Sequence, residues 1–257
     1  VLPLGSRFEL AFDLSGWRGN PFDPTSGECR LEVVGPDQQP LTVRGFLYQD
    51  FAATLTAAGE QLLPRGPKHW RARFRPLQEG RHQYRLRYAG PGDAPARELA
   101  AGEFMVEPGT APDFIRIAPD NPRFFTHADG RFFYPVGWCL AFPNDRPYRQ
   151  EYVPYLHDQA SLALMKKMLD DLADHGGNLI RLWLTDWWNG IEWNRNVDQY
   201  GGLTRFNLKN AWLNDQFLAH CEQRGVFVIF ETINHVQLSG DIGGWSDNPY
   251  LDRNGGP

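Results

Sequence analysis

The sequence has no apolar run near the roughly 20 residues that cross a bilayer. It has only three cysteines, Cys29, Cys139 and Cys221. They are far apart and form no CxxC or Cys/His spacing, so neither a disulfide framework nor a zinc site is expected. Neither sign of charge dominates. The formal net charge of −5 over 257 residues gives no basic surface of the kind that nucleic acid or an anionic membrane selects. The first residues, "VLPLGSRFEL", lack a charged head followed by an apolar core, so no signal peptide is visible and the compartment stays open. No GxGxxG or Walker sequence marks a nucleotide site.

Aromatic rings are plentiful. Nine tryptophans, nine tyrosines and seventeen phenylalanines make up 14% of the chain. Most serve cores, but a ring at a cleft also stacks on the C–H face of a sugar.

Two regions differ in period. Up to residue 108, short stretches alternate. "FELAFDL" puts Phe8, Leu10, Phe12 and Leu14 on one face, and "HWRARFRP" sets Trp70, Ala72 and Phe74 against Arg71, Arg73 and Arg75. After "PLQEGR", "HQYRLRY" sets Tyr84, Leu86 and Tyr88 against Arg85 and Arg87. This pattern predicts an antiparallel hairpin within an N-terminal β-sandwich over 1–108, with the arginines on a solvated face rather than at an anion site. Val106–Phe114 reads as a linker, and Ala128-Asp129-Gly130 as a hairpin turn.

Residues 109–257 then show the helical period. Leu162, Met165, Met168, Leu169 and Leu172 form one helical stripe, and Leu208, Trp212, Leu213, Phe217 and Cys221 form a second. Glycines follow each stripe. The apolar runs "FFYPVGW", "NLIRLWL" and "VFVIFETI" make the order β-α-β-α-β, which implies a parallel sheet covered by helices. Links from helix to strand are minimal ("HGG", "RG"), whereas Trp138–Ala160 and Asp186–Phe206 are long. Such asymmetry fits a (β/α) barrel, whose site is built from the loops at the C-terminal ends of its strands.

Arg181 interrupts an apolar strand on the same side as Leu179 and Trp183. A buried guanidinium needs an anionic partner, and Glu231 on the next strand could supply it. The scattered Asp241, Asp247 and Asp252 match no calcium loop and read as turn residues. His157, His175 and His220 read as surface positions.

The segments "GFLYQDF" and "HWRARFRPLQEGRHQYRL" resemble the β-sandwich module (DUF5060) that precedes glycoside hydrolase barrels. "GRFFYPVGW", "NLIRLWL" and "VFVIFETINH" resemble the first three strands of such a (β/α)8 TIM barrel, in the retaining clan of cellulase-like and apiosidase-like enzymes. The resemblance implies a retaining glycosidase acting on a polysaccharide or oligosaccharide without a cofactor or metal. It implies Arg181 beside the nucleophile and His235 at a sugar subsite. Trp138, Trp183, Trp187 and Trp188 would line the cleft as substrate-binding residues. The clan's acid/base and nucleophile stand on strands four and seven. The sequence ends at "NPYLDRNGGP", with three of the eight βα units a closed barrel needs. No catalytic carboxylate is therefore expected within it, and the rest of the barrel is expected from the same protein or a partner chain. Were the chain complete, Glu231 and Asp186 would be the pair to test. The alternative reading is a non-catalytic carbohydrate-binding or assembly module.

Overall fold

The computed structural model describes residues 1–14, 16–56, 59–92, 95–140, 161–185, 188–192, 204–233 and 250. The architecture is a β-rich α/β one. It divides into two compact units, Val1–Tyr48 with Lys68–Tyr134, and Gln49–Pro67 with Pro135–Pro257. The units are thus not consecutive halves: residues 109–134 group with the first, and an excursion of the early strands, 49–67, groups with the second.

The early strands are β1 (Leu2–Pro3), β2 (Phe8–Phe12), β3 (Glu28–Val34), β4 (Pro40–Arg44), β5 (Phe46–Thr56), β6 (Gly59–Phe74), β7 (Gly80–Ala89) and β8 (Arg97–Glu107). They form a five-stranded sheet in the order β1-β8-β7-β3-β4 and a three-stranded sheet in the order β2-β6-β5. Period-two alternation builds the core between them. Cys29, Leu31 and Val33 of β3 and Leu86 of β7 meet Trp70 and Ala72 of β6, with Phe8, Leu10 and Phe12 of β2 packed alongside. Burial of such apolar side chains contributes about 1.5–3 kcal/mol each.

Two expectations change here. β6 and β7 do not pair as a hairpin; β6 lies beside β2, and β7 lies between β3 and β8. Alternation marks which face is buried, and facing strands of two sheets satisfy it as well as neighbours in one. Nor do Arg71 and Arg73 of β6 lie on a solvated face. Arg71 and Arg73 are 16% and 22% exposed, and both reach Glu9, at 2.9 and 3.7 Å. Their guanidinium groups also lie over the rings of Tyr48 and Phe46, at 3.9 and 4.7 Å.

A small antiparallel sheet follows, β9 (Arg116–Ile117), β10 (Phe125–Thr126) and β11 (Phe132–Phe133). Its turn falls at Ala128–Gly130 as expected, with the His127 amide donating to the Arg131 carbonyl at 2.8 Å.

The second unit carries the parallel sheet β12 (Gly137–Trp138), β13 (Leu179–Trp183) and β14 (Phe227–Glu231), in that order. Helices α1 (Leu162–Asp174) and α2 (Leu208–Gln223) alternate with them. The predicted stripes are the buried faces: Leu162, Met165, Met168, Leu169 and Leu172 on α1, and Leu208, Trp212, Leu213, Phe217 and Cys221 on α2. Asp170 of α1 holds His220 of α2 and Arg224, which caps the end of α2, at 2.8 and 3.1 Å, so His220 joins two helices. Gly176, at φ +82, takes the left-handed backbone that stops α1. Gly137 answers a different demand, since a Cβ there would lie 1.7 Å from the Leu179 carbonyl oxygen.

The start of α1 draws on the β5–β6 excursion. Ser161 caps the helix by accepting from the Leu164 amide at 3.0 Å. The Glu60 carboxylate of β6 accepts from the Leu162 and Ala163 amides at 2.7 and 3.1 Å. Together they satisfy the first three orphan donors of the helix.

Candidate functional site

The face of β13 that carries Leu179, Arg181 and Trp183 is aligned with Phe227, Ile229 and Glu231 of β14, pair by pair. Trp183 lies opposite Glu231, and Arg181 sits two residues earlier. Its side chain runs along the strand, and Nε donates to Glu231 Oε1. Nη1 donates to the Cys139 sulfur at 3.5 Å, and the guanidinium carbon lies 5.2 Å from the Trp183 ring centre. The carboxylate on a neighbouring strand that Arg181 requires is therefore Glu231.

Arg181 is less buried than its apolar neighbours imply. It is 42% exposed and Glu231 is 26% exposed. The hydrogen bond to Glu231, then that to Cys139, holds the guanidinium above the ordinary arginine range. Its Nη2 is uncommitted among the described residues. The remainder of this face is apolar and open, with Ile229 at 49% exposure. A half-exposed, permanently charged donor with an open edge can receive a carboxylate or a hydroxyl in geometry that water does not scramble.

The tryptophans do not form one platform. Trp138 is aligned with Ile180, on the opposite face of the sheet from Arg181; Cys139 instead reaches Arg181. Trp188 is buried, at 6% exposure, and Trp183 nearly so at 9%. Neither presents an open ring face of the kind that sugar stacking requires. Asp186, Trp187 and His235 lie outside the described residues, as do His157, Trp193, Trp245, Asp241, Asp247 and Asp252.

The burial of Trp188 follows from a turn held by asparagines. Asn189 Oδ1 accepts from the Thr185 amide at 2.8 Å and from its hydroxyl at 3.2 Å. Asn189 Nδ2 donates to Asn214 Oδ1 at 3.1 Å, while Asn214 returns a bond to the Asn189 carbonyl at 2.9 Å. Asn210 donates to the Gly190 carbonyl at 2.7 Å, and Asn207 caps α2 by accepting from the Asn210 amide at 3.1 Å. All four asparagines are buried. This network fixes the chain as it leaves β13, just beyond Arg181. Sequence reading missed it, although the signal was present: Asn207, Asn210 and Asn214 share the stripe of Phe217 and Cys221, at the three- and four-residue steps of a buried helical face.

Among the described residues, no group of three His, Cys, Asp or Glu side chains could hold a metal ion, and no helix is long and apolar enough to cross a membrane. No family model matches the chain, and no curated protein does. Among solved structures, it is similar to a purple acid phosphatase, PPD1, from yellow lupin (Lupinus luteus) seeds, with 11% identity and a TM-score of 0.28. That match covers 89% of this chain and 33% of the phosphatase. A likeness that weak carries no argument about fold or chemistry.

Proposed function

We propose that this chain supplies the β-sandwich and the first three βα repeats of a retaining glycoside hydrolase of the (β/α)8 type. It would act on a polysaccharide or an oligosaccharide derived from one. The observation that supports this reading best is the Arg181–Glu231 pair. It lies toward the C-terminal ends of parallel strands β13 and β14, the end where such barrels build their sites. Retention needs two carboxyl groups about 5–5.5 Å apart, one as acid/base and one as nucleophile. On this reading they stand on later strands, and Arg181 serves them. Its Nε and Nη1 are anchored by Glu231 and Cys139. Nη2 is left to donate to the nucleophile, keeping that carboxylate ionised and aimed. Arg181 is a positioning residue here, and Glu231 fixes the guanidinium rather than attacking the sugar.

The test is release of reducing sugar from plant, algal and bacterial polysaccharides by the protein that carries this chain, with the anomer of the first product read by NMR. Retained configuration is expected. Inverted product, or no release from any of them, would remove the reading in favour of a carbohydrate-binding or assembly module.

A further inference from the structure

A second polar site lies far from Arg181 in the sequence, on the outer face of the five-stranded sheet. β7 is the middle strand of that sheet. Period two sends Leu86 to the core and turns Arg81, Gln83, Arg85 and Arg87 outward. The two end arginines are matched: Arg81 pairs with Glu103 of β8, and Arg87 with Glu32 of β3 at 3.6 Å. Arg85 lies between them, aligned with Glu32 on one side and Ala101 on the other. It is exposed and has no ion pair or hydrogen bond among the described residues.

The strands leave a hollow at this point. It is an open depression of about 570 Å³ lined by Glu32, Val34, Gln83, Arg85, Ala101 and Glu103, among others, a volume within the range of small-molecule sites. Its cause is visible in the sequence, because Ala101, aligned with Arg85, brings no long side chain to the β8 wall. The register between β7 and β8 also shifts at Leu86/Arg87, an irregularity that re-aims the side chains beside it.

We infer that this hollow binds a carboxylate-bearing saccharide, a uronate unit, with Arg85 on the carboxylate. The lining selects that class by charge. Among the described lining residues Arg85 is the one uncommitted cation, and it presents a fork that fits a carboxylate through two parallel bonds. Around it, the Gln83 amide and the remaining lone pairs of Glu32 and Glu103 suit neutral hydroxyls. Val34 and Ala101 give the floor its apolar contact. The inference goes beyond the hydrolase reading, since the site uses no residue of the Arg181 cluster and holds whether or not hydrolysis is found.

The experiment is calorimetric titration of the protein that carries this chain with trigalacturonate, cellotriose and citrate. Trigalacturonate is expected to bind saturably and more tightly than either of the others. Arg85→Gln should weaken it about tenfold, the loss of one charged contact, and Arg85→Lys should not restore it because the fork is gone. Arg181→Ala should leave it unchanged, and circular dichroism should show all variants folded. Absence of saturable binding, or affinity unmoved by Arg85→Gln, overturns the inference. So does citrate binding as tightly as trigalacturonate, which would mark a bare anion site.

Discussion

Arg181 spends two of its donors inside the protein, and that arrangement separates positioning from binding. In the hydrolase account, a guanidinium held by Glu231 and Cys139 acts on the nucleophile more than on the bound sugar. The tryptophans separate in the same way, by burial. Trp188→Ala removes a ring that is 6% exposed, so the expected result is a loss of about 3–5 kcal/mol in urea unfolding with sugar affinity unaltered. Weakened sugar binding at unchanged stability would reverse that assignment. Thiols give a third test. Burial pushes Cys29 and Cys221 up to about 12, which keeps both protonated at pH 8, whereas Cys139 is exposed. A thiolate is the reacting species, so of these three cysteines Cys139 alone should react fast with a disulfide reagent in the native protein, and Cys139→Ser should remove that reaction. Fast labelling of Cys29 or Cys221, read by mass spectrometry, would contradict the burial described for the cores.

At the scale of elements, the first turn of α1 shows how distant parts of the chain meet. Glu60 and Ser161 divide the orphan amides between them, and a carboxylate at a helix N-terminus also suits the helix dipole. Glu60→Ala and Ser161→Ala should each cost about 1 kcal/mol in denaturant unfolding. Hydrogen exchange distinguishes them: the Leu162 and Ala163 amides should speed up in the first variant, and the Leu164 amide in the second. Unchanged exchange at those amides would refute the cap. The Ser161 cap stands directly before its apolar stripe and is legible locally. Glu60 is not, because no local rule links a carboxylate in a β-hairpin to a helix a hundred residues later. The same limit explains β6 and β7. Alternation of Trp70 and Ala72, and of Tyr84 and Leu86, marked their core faces correctly, but pairing is decided by tertiary geometry that period two does not encode.

For the whole molecule, the order β-α-β-α-β was legible because each helix carries an unbroken stripe and each strand a short apolar run between them. The partner of Arg181 was legible for a related reason: a guanidinium in an apolar strand demands a carboxylate, and Glu231 shares its side of the sheet. Its exposure was not, since accessibility depends on what covers Ile229 and its neighbours rather than on the strand itself. The account rests on Arg181 acting in glycoside hydrolysis. The most direct test is steady-state kinetics of the protein that carries this chain, with Arg181→Ala beside the wild type on the substrate it cleaves best. The account predicts kcat lowered about a hundredfold or more with KM changed little, the signature of an interaction made in the transition state. An unchanged kcat would contradict it.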